Sequence, residues 1–183
     1  MTLHSDAFDI VLAGDDDLPA LRAHLERHFA ESGRDGFYFM PFDPAHNDGP
    51  TGLTFDQCQL PVGTPLWERW FMARSRRDGS IVGHLDLKGY RLRTRAHRCQ
   101  LGIGLEEAYR GLGLGRRLMH AAIDFASAQP TLDWIDLMVF AHNTRAQALY
   151  QDLGFTEIGV TPDCFRIGGM SLDDVAMQLP LRR

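Results

Sequence analysis

The residues best suited to chemistry are Arg110-Gly111-Leu112-Gly113-Leu114-Gly115-Arg116-Arg117. An apolar run from Cys99 to Leu105 precedes them and a helical pattern from Leu118 to Ala128 follows. The stretch therefore reads as strand, glycine-rich turn and helix N-terminus. A helix start offers unpaired N–H groups at the positive end of the macrodipole, which suits an anion. Glycines at alternate positions remove side chains that would hold a phosphate away from that backbone. Arg110, Arg116 and Arg117 add charge matched to phosphate oxygens. The physical reading is a pyrophosphate cradle; the alternative is a tight turn that simply needs glycine φ angles. A P-loop is excluded, because it ends in Gly-Lys-Ser/Thr and the sole lysine is Lys88. A dinucleotide fingerprint would want glycine where Arg116 stands, and only Asp136 keeps that option open.

A second block follows the strand-like Ile135–Phe140: Asn143-Thr144-Arg145-Ala146-Gln147-Ala148-Leu149-Tyr150, then Leu153-Gly154-Phe155. Asn143 is a good N-cap, Ala146, Leu149, Tyr150 and Leu153 make one apolar face, and Gly154 is a C-terminal stop. Taken alone, Tyr150 on that face reads first as a core aromatic.

The elements that must position these blocks can be read in order. Phe8 to Ala13 is a strand. Asp15, Asp16 and Asp17 before Leu18-Pro19 form an acidic helix start, with a metal site as the lesser reading. Leu21, Leu25, His28 and Phe29 then recur at helical spacing. Phe37-Tyr38-Phe39-Met40-Pro41-Phe42 opens a long irregular segment reaching Pro65. Its first reading is a satellite hydrophobic cluster under a loop, its second the wall of a substrate pocket. Trp67–Arg76, Ile81–Tyr90 and His97–Leu105 are strands, with His84, Asp86 and Lys88 sharing one face. Arg91, Arg93, Arg95 and Arg98 cluster at a hairpin loop and read as a solvated turn. Leu132–Phe140 is a buried strand, and Phe155–Val160 with Val175–Leu181 form a closing hairpin, with Gly168-Gly169 near its turn. The order β-α-(loop)-β-β-β-α-β-α-β-β implies a mixed sheet in one α/β (α+β) domain over residues 1–183.

The 183-residue length suits a single core, and 44% hydrophobic with 23% charged residues is a globular composition. A formal net charge of −5 argues against a general nucleic-acid binder and permits a cationic amine substrate. Cys58, Cys99 and Cys164 show no metal-ligand spacing and no disulfide framework, so no metal is expected and a reduced compartment is the simplest reading. No apolar run approaches a membrane span and no signal pattern opens the chain, which makes a cytoplasmic location the default expectation and a membrane partner unexpected.

The two blocks together resemble the GNAT acetyltransferases. Arg110, Gly113 and Gly115 fill the family's coenzyme A pattern, Gln/Arg-x-x-Gly-x-Gly/Ala. The second block is similar to its fourth-helix segment, Asn-x-x-Ala-x-x-Leu-Tyr followed by Gly-Phe, so the likeness spans roughly residues 80 to 160. The resemblance implies a largely antiparallel, splayed sheet of about seven strands with about four flanking helices. It implies acetyl-CoA as co-substrate, held by backbone of Gly111, Leu112, Gly113, Leu114, Gly115 and Arg116. Ile103, Gly104 and Leu105 would pair with the pantetheine arm, and Asn143 would close the other wall. Leu105 N–H is the expected oxyanion donor and Tyr150 the general acid.

A general base is harder to find. The positions that carry it in some relatives hold Cys99, Leu101 and Met138 here. His97, His84, Asp86 and Asp136 remain, each reading first as a structural or surface residue. A lysine-type amine is only about 0.1% neutral near pH 7.4, whereas an α-amine is about a quarter neutral. The expected acceptor is accordingly a small-molecule amine or a peptide N-terminus, with a lean to α-amines. The rival reading is a non-catalytic acyl-CoA sensor on the same fold; a third is transfer of a longer acyl group. Late exposed strand edges make a homodimer the oligomer to expect.

Overall fold

The computed structural model describes residues 4–43 and 54–181. Residues 44–53 of the long irregular segment lie outside the described residues. Seven strands form one sheet: β1 (Phe8–Leu12), β2 (Glu68–Ser75), β3 (Ile81–Gly89), β4 (Arg98–Leu105), β5 (Trp134–Phe140), β6 (Thr156–Ile167) and β7 (Met170–Pro180). Their order is β1-β2-β3-β4-β5-β7-β6. Neighbours are antiparallel except β4 and β5, which run parallel. Three α-helices are present among the described residues: α1 (Leu18–Phe29), α2 (Leu114–Ser127) and α3 (Thr144–Asp152). This is fewer than the about four the resemblance implied; among the described residues between α1 and β2 there are only short 3-10 turns, at Arg34–Gly36 and Asp56–Gln59.

Each helix is placed by its apolar stripe. Leu114, Leu118, Met119, Ala122 and Ala126 of α2 are fully buried against Leu85, Leu87 and Ile135 on one face of the sheet. Tyr150 of α3 and Phe155 join the same core. The opposite face is covered at β2 and β3 by α1, whose Leu21 and Leu25 meet Trp70, Met72 and Ile81. Burying each such aliphatic side chain is worth about 1.5–3 kcal/mol.

The closing hairpin is longer than expected. The strand continues past Val160 through Pro162-Asp163-Cys164 by a register shift between Thr161 and Phe165, with Asp163 at φ 48°. Such a bulge lets a strand absorb a proline and still pair on both sides of it. Gly168 and Gly169 turn it at φ 56° and 79°, the positive angles a tight hairpin turn requires.

Candidate active site

The site is made by the sheet coming apart. β4 and β5 pair only at Arg98↔Trp134, Cys99↔Ile135 and Gln100↔Asp136, and beyond Gln100 they diverge. The Glu106 N–H donates to the Val82 carbonyl at 3.1 Å. Alternation along the antiparallel β3–β4 ladder then turns the backbone groups of Ile103 and Leu105 the other way, into the gap. The Leu105 carbonyl is taken there by Arg110 Nε at 3.0 Å, leaving its N–H facing the opening. A free strand edge of this kind accepts an extended chain as an added strand.

The glycine-rich turn closes one end of the gap. Gly111 and Gly113 have φ of 82° and 80°, and Gly113 is the N-cap of α2. The first turn of α2 leaves the N–H groups of Leu114, Gly115 and Arg116 without intrahelical partners. A Cβ on Gly113 would meet nothing within 4 Å, so the space over that backbone is open. The residues present therefore fit a diphosphate. The expected arginines are disposed differently. Arg110 donates to Glu31 at 2.9 Å, Arg116 pairs with Asp152 at 2.7 Å, and Arg117 is turned back to the carbonyls of Ser5 and Phe8. Arg145 is the cation the sequence reading missed: its Nη2 lies 3.5 Å from the Cβ position of Gly111 and it lines the cavity. Leu112 packs inward against the main core instead of lining it.

The cavity between the two walls has a volume of about 1520 Å³. Gly104, Leu105, Gly113, Asn143 and Tyr150 line it on the coenzyme side. On the other side lie Trp70, His84, Asp86 and Lys88, roofed by His28 of α1 and by Phe37, Phe39, Met40 and Phe42. The aromatic stretch is thus a pocket wall, not a satellite cluster; only Tyr38 packs away, toward Phe140, Ile167 and Leu172. The bare backbone of Gly102 and Gly104 makes room for polar groups over β4. A Cβ on Gly104 would lie 2.3 Å from His28 Nε2 and 2.6 Å from His84 Cε1, and one on Gly102 would lie 2.8 Å from Asp86 Oδ1.

Two imidazoles therefore sit one residue from the Leu105 N–H. His28 stacks on Phe39 with centroids 4.8 Å apart. His84 meets His24, also on α1, through Nδ1···Nε2 at 2.9 Å, and His24 Nδ1 lies 2.8 Å from Glu106 Oε1. Burial and its charged neighbours push the His28 pKa down to about 3, and burial first of all holds His24 and His84 below the ordinary value. All three are neutral at pH 7, so each ring carries one bare nitrogen. Burial raises the Asp86 carboxyl against the opposing pull of Lys88, 3.4 Å away.

These shifts make a prediction about acid stability. An unfolded imidazole titrates near 6.5, while the buried ones stay neutral well below that. As pH falls below 6.5 the unfolded chain therefore binds protons that the native state refuses, at a cost of up to about 1.4 kcal/mol per pH unit per ring. Tm should be level above pH 7 and drop steeply between pH 6.5 and 4. The His28→Gln variant should drop less steeply, as measured by thermal denaturation across pH.

Other expected residues fall into place or out of it. Asn143 caps α3, its side chain accepting from the Ala146 N–H at 3.3 Å. Tyr150 is 6% exposed and lines the cavity, and burial alone raises its pKa. His97 is a correction: it lies exposed in the turn before β4 and does not line the cavity, because strand spacing carries it several residues short of the gap. Asp136 is also removed from the base candidates. It is clamped by Arg98 and accepts from the Tyr90 hydroxyl at 2.8 Å. The same clamp, with Arg95 3.5 Å over the Tyr90 ring, shows that part of the arginine run fastens the hairpin. Cys99 is fully buried with its thiol pushed up to about 12, Leu101 is apolar, and Met138 is half exposed, so none supplies a base. Among the described residues no cluster of His, Cys, Asp and Glu has the arrangement of a metal site, and no helix is long and apolar enough to cross a membrane.

A seven-stranded, largely antiparallel sheet that opens beside a glycine-turned helix start has the GNAT architecture. An acetyltransferase from Streptococcus pneumoniae superposes with a TM-score of 0.79 at 23% identity, over 95% of this chain and all of that one. The Salmonella typhimurium yncA structure, solved with acetyl-CoA, superposes with a TM-score of 0.75 at 20% identity, over 96% and 95% of the two chains. The model of the acetyltransferase (GNAT) family matches residues 35–155, and the chain belongs to that family. The N-alpha-acetyltransferase RimI of Mycobacterium tuberculosis is 34% identical over 97 residues, 52% of this chain and 58% of that protein. The chain spans about half to two thirds of the length of RimI and of two other curated relatives, and under a fifth of two longer ones.

Proposed function

We propose that the chain is an N-acetyltransferase that moves an acetyl group from acetyl-CoA to a primary amine by direct attack, the two substrates bound together. The observation that carries this reading is the convergence of three groups on one cavity. They are the gap-facing Leu105 N–H, the neutral imidazoles of His84 and His28 beside Gly104, and the buried phenol of Tyr150. Family membership and the acetyl-CoA in the Salmonella relative support the choice of acyl donor.

In this mechanism acetyl-CoA supplies the activated acetyl group. Ile103 and Leu105 hold its extended arm along the β4 edge, and the Gly111–Arg116 backbone holds its diphosphate. The Leu105 N–H donates to the carbonyl oxygen as negative charge develops there, a role in which one donor is worth ~10²–10³ in rate. His84 takes a proton from the attacking nitrogen, whose acidity rises as its bond to carbon forms. Tyr150 gives its proton to the departing sulfur. An imidazole held below its ordinary pKa cannot strip a free ammonium group efficiently. The neutral fraction of the amine in solution therefore still matters, and this favours an α-amino acceptor over a lysine-type one. The name of the Mycobacterium tuberculosis relative points the same way.

Free thiol release from acetyl-CoA should be followed against amino acids, peptide N-termini, polyamines and aminoglycosides. Turnover with α-amines ahead of polyamines is the expected result. Coenzyme binding without thiol release for any amine would replace this reading with a sensor. Gly113→Val should weaken coenzyme A binding by roughly 10–100-fold, about 1.4–2.8 kcal/mol, because it both strains a left-handed residue and fills the open cradle. Calorimetric titration would check this.

A further inference from the structure

Building on the proposed transferase reading, we infer that His24 and Glu106 form a positioning relay behind His84, fixing which of its ring nitrogens is bare. The relay follows from donor and acceptor bookkeeping. Glu106 is a carboxylate held by Arg27 Nε at 3.1 Å and Nη2 at 2.9 Å, so it only accepts. His24 Nδ1, 2.8 Å away, must then carry its ring hydrogen. In a neutral ring that leaves His24 Nε2 as a lone pair. His84 Nδ1, at 2.9 Å from it, must donate. The second nitrogen of His84, Nε2, is consequently unprotonated.

The ring that carries this lone pair lines the cavity beside β4. His84 Cε1, the ring atom bonded to both nitrogens, is the one that approaches Gly104, next to the Leu105 N–H. When the attacking amine gives its proton to His84 Nε2, the ring becomes an imidazolium whose Nδ1–H still points at His24. His24 in turn still points its Nδ1–H at the Glu106 carboxylate. No proton has to leave the chain for the new charge to be stabilised.

The remaining charged and titratable groups around His84 do not duplicate this arrangement. His28 packs beside it from α1 but has no hydrogen-bond partner on Nδ1, with Glu31 at 3.7 Å. On β3, Asp86 is engaged by Lys88. Arg110 lies over Phe39 and is tied to Glu31. A purely structural role for His24 would be served better by a leucine. Its position continues the apolar stripe of Leu21 and Leu25, it is completely buried, and burying an imidazole there is costly unless both nitrogens are used.

The test is ¹⁵N NMR of histidine-labelled protein without substrate, with the His84 resonances assigned by comparison with His84→Gln. The expected result is a hydrogen on His84 Nδ1 and none on Nε2. In Glu106→Leu the acceptor that pins the His24 Nδ1–H is gone, and the hydrogen on His84 should no longer be confined to Nδ1. That variant should lose roughly 10–100-fold in kcat with the KM for acetyl-CoA unchanged, and Glu106→Asp should recover most of the loss. A wild-type spectrum with the hydrogen on His84 Nε2, or Glu106→Leu turning over at the wild-type rate, would overturn the relay. If the variant does not fold, the wild-type spectrum decides alone. Because the spectrum is read without substrate, it separates failure of the relay from failure of the transferase reading, which shows as no thiol release with any amine.

Discussion

Tyr150→Phe lowers kcat by about 100-fold or more and leaves coenzyme affinity where it was. The side chain is buried in α3 and packs against Phe155 at 6.0 Å between centroids, so the ring is part of the core and phenylalanine keeps that packing. Only the hydroxyl is removed. No charged neighbour or hydrogen bond offsets the effect of burial on that hydroxyl, and its pKa is raised accordingly. In bulk water a phenol is a poor acid toward a thiolate of pKa near 8.5. Inside a dry cavity burial disfavours the thiolate as well, and a positioned O–H becomes competitive. The loss should appear in kcat under saturating substrate, measured by thiol release, with Tm within about 1 °C of the parent. Replacing Tyr150 by alanine would not answer the question, because removing a buried aromatic costs about 3–5 kcal/mol of stability on its own. Turnover unchanged in Tyr150→Phe would take the phenol out of the mechanism.

What the sequence discloses about this site is what local physics decides. The glycine turn before α2 and the α3 cap were readable because a positive-φ glycine and an N-capping asparagine act within a few residues of themselves. Gly113 and Asn143 do what their types imply. His84 was readable as one base candidate among several, but its partners were not, because they converge from α1 and the segment after β4. His24 and Glu106 are 82 residues apart and His24 and His84 are 60 apart. A signal was nevertheless there. His24 and His28 stand at apolar positions of the Leu21–Leu25 stripe, and a histidine there needs a partner. Gly102 and Gly104 interrupt an apolar strand, which in a sheet marks a place where something approaches the backbone closely. His97 drew attention only by its nearness to β4 in sequence. The phosphate arginines misled for a related reason: a guanidinium reaches far enough that its Cα position does not fix its partner, and Arg117 ends on the carbonyls of Ser5 and Phe8.

Gly104→Val should be the most damaging single change on β4, with kcat reduced about 10³-fold, within the range general-base and oxyanion groups contribute. Gly104 pairs with His84 in the ladder and its φ is ordinary, so backbone strain is not the issue. The issue is space. The first added carbon would lie 2.3 Å from His28 Nε2, 2.6 Å from His28 Cδ2 and 2.6 Å from His84 Cε1, all far inside contact distance. Neither ring can retreat freely. His84 is held by His24, and His28 is stacked on Phe39. Overpacking of this kind costs about 1–3 kcal/mol in stability. Combining Gly104→Ala with His28→Ala should return most of that stability, because the two side chains compete for one volume and their effects are not additive. It should not return full activity unless His84 alone suffices as the base. The comparison therefore divides the two imidazoles. Recovery of both stability and turnover in the double variant assigns proton removal to His84, and recovery of stability alone gives His28 a share in it. A folded Gly104→Val protein working at the wild-type rate would show that neither ring serves the reacting centre.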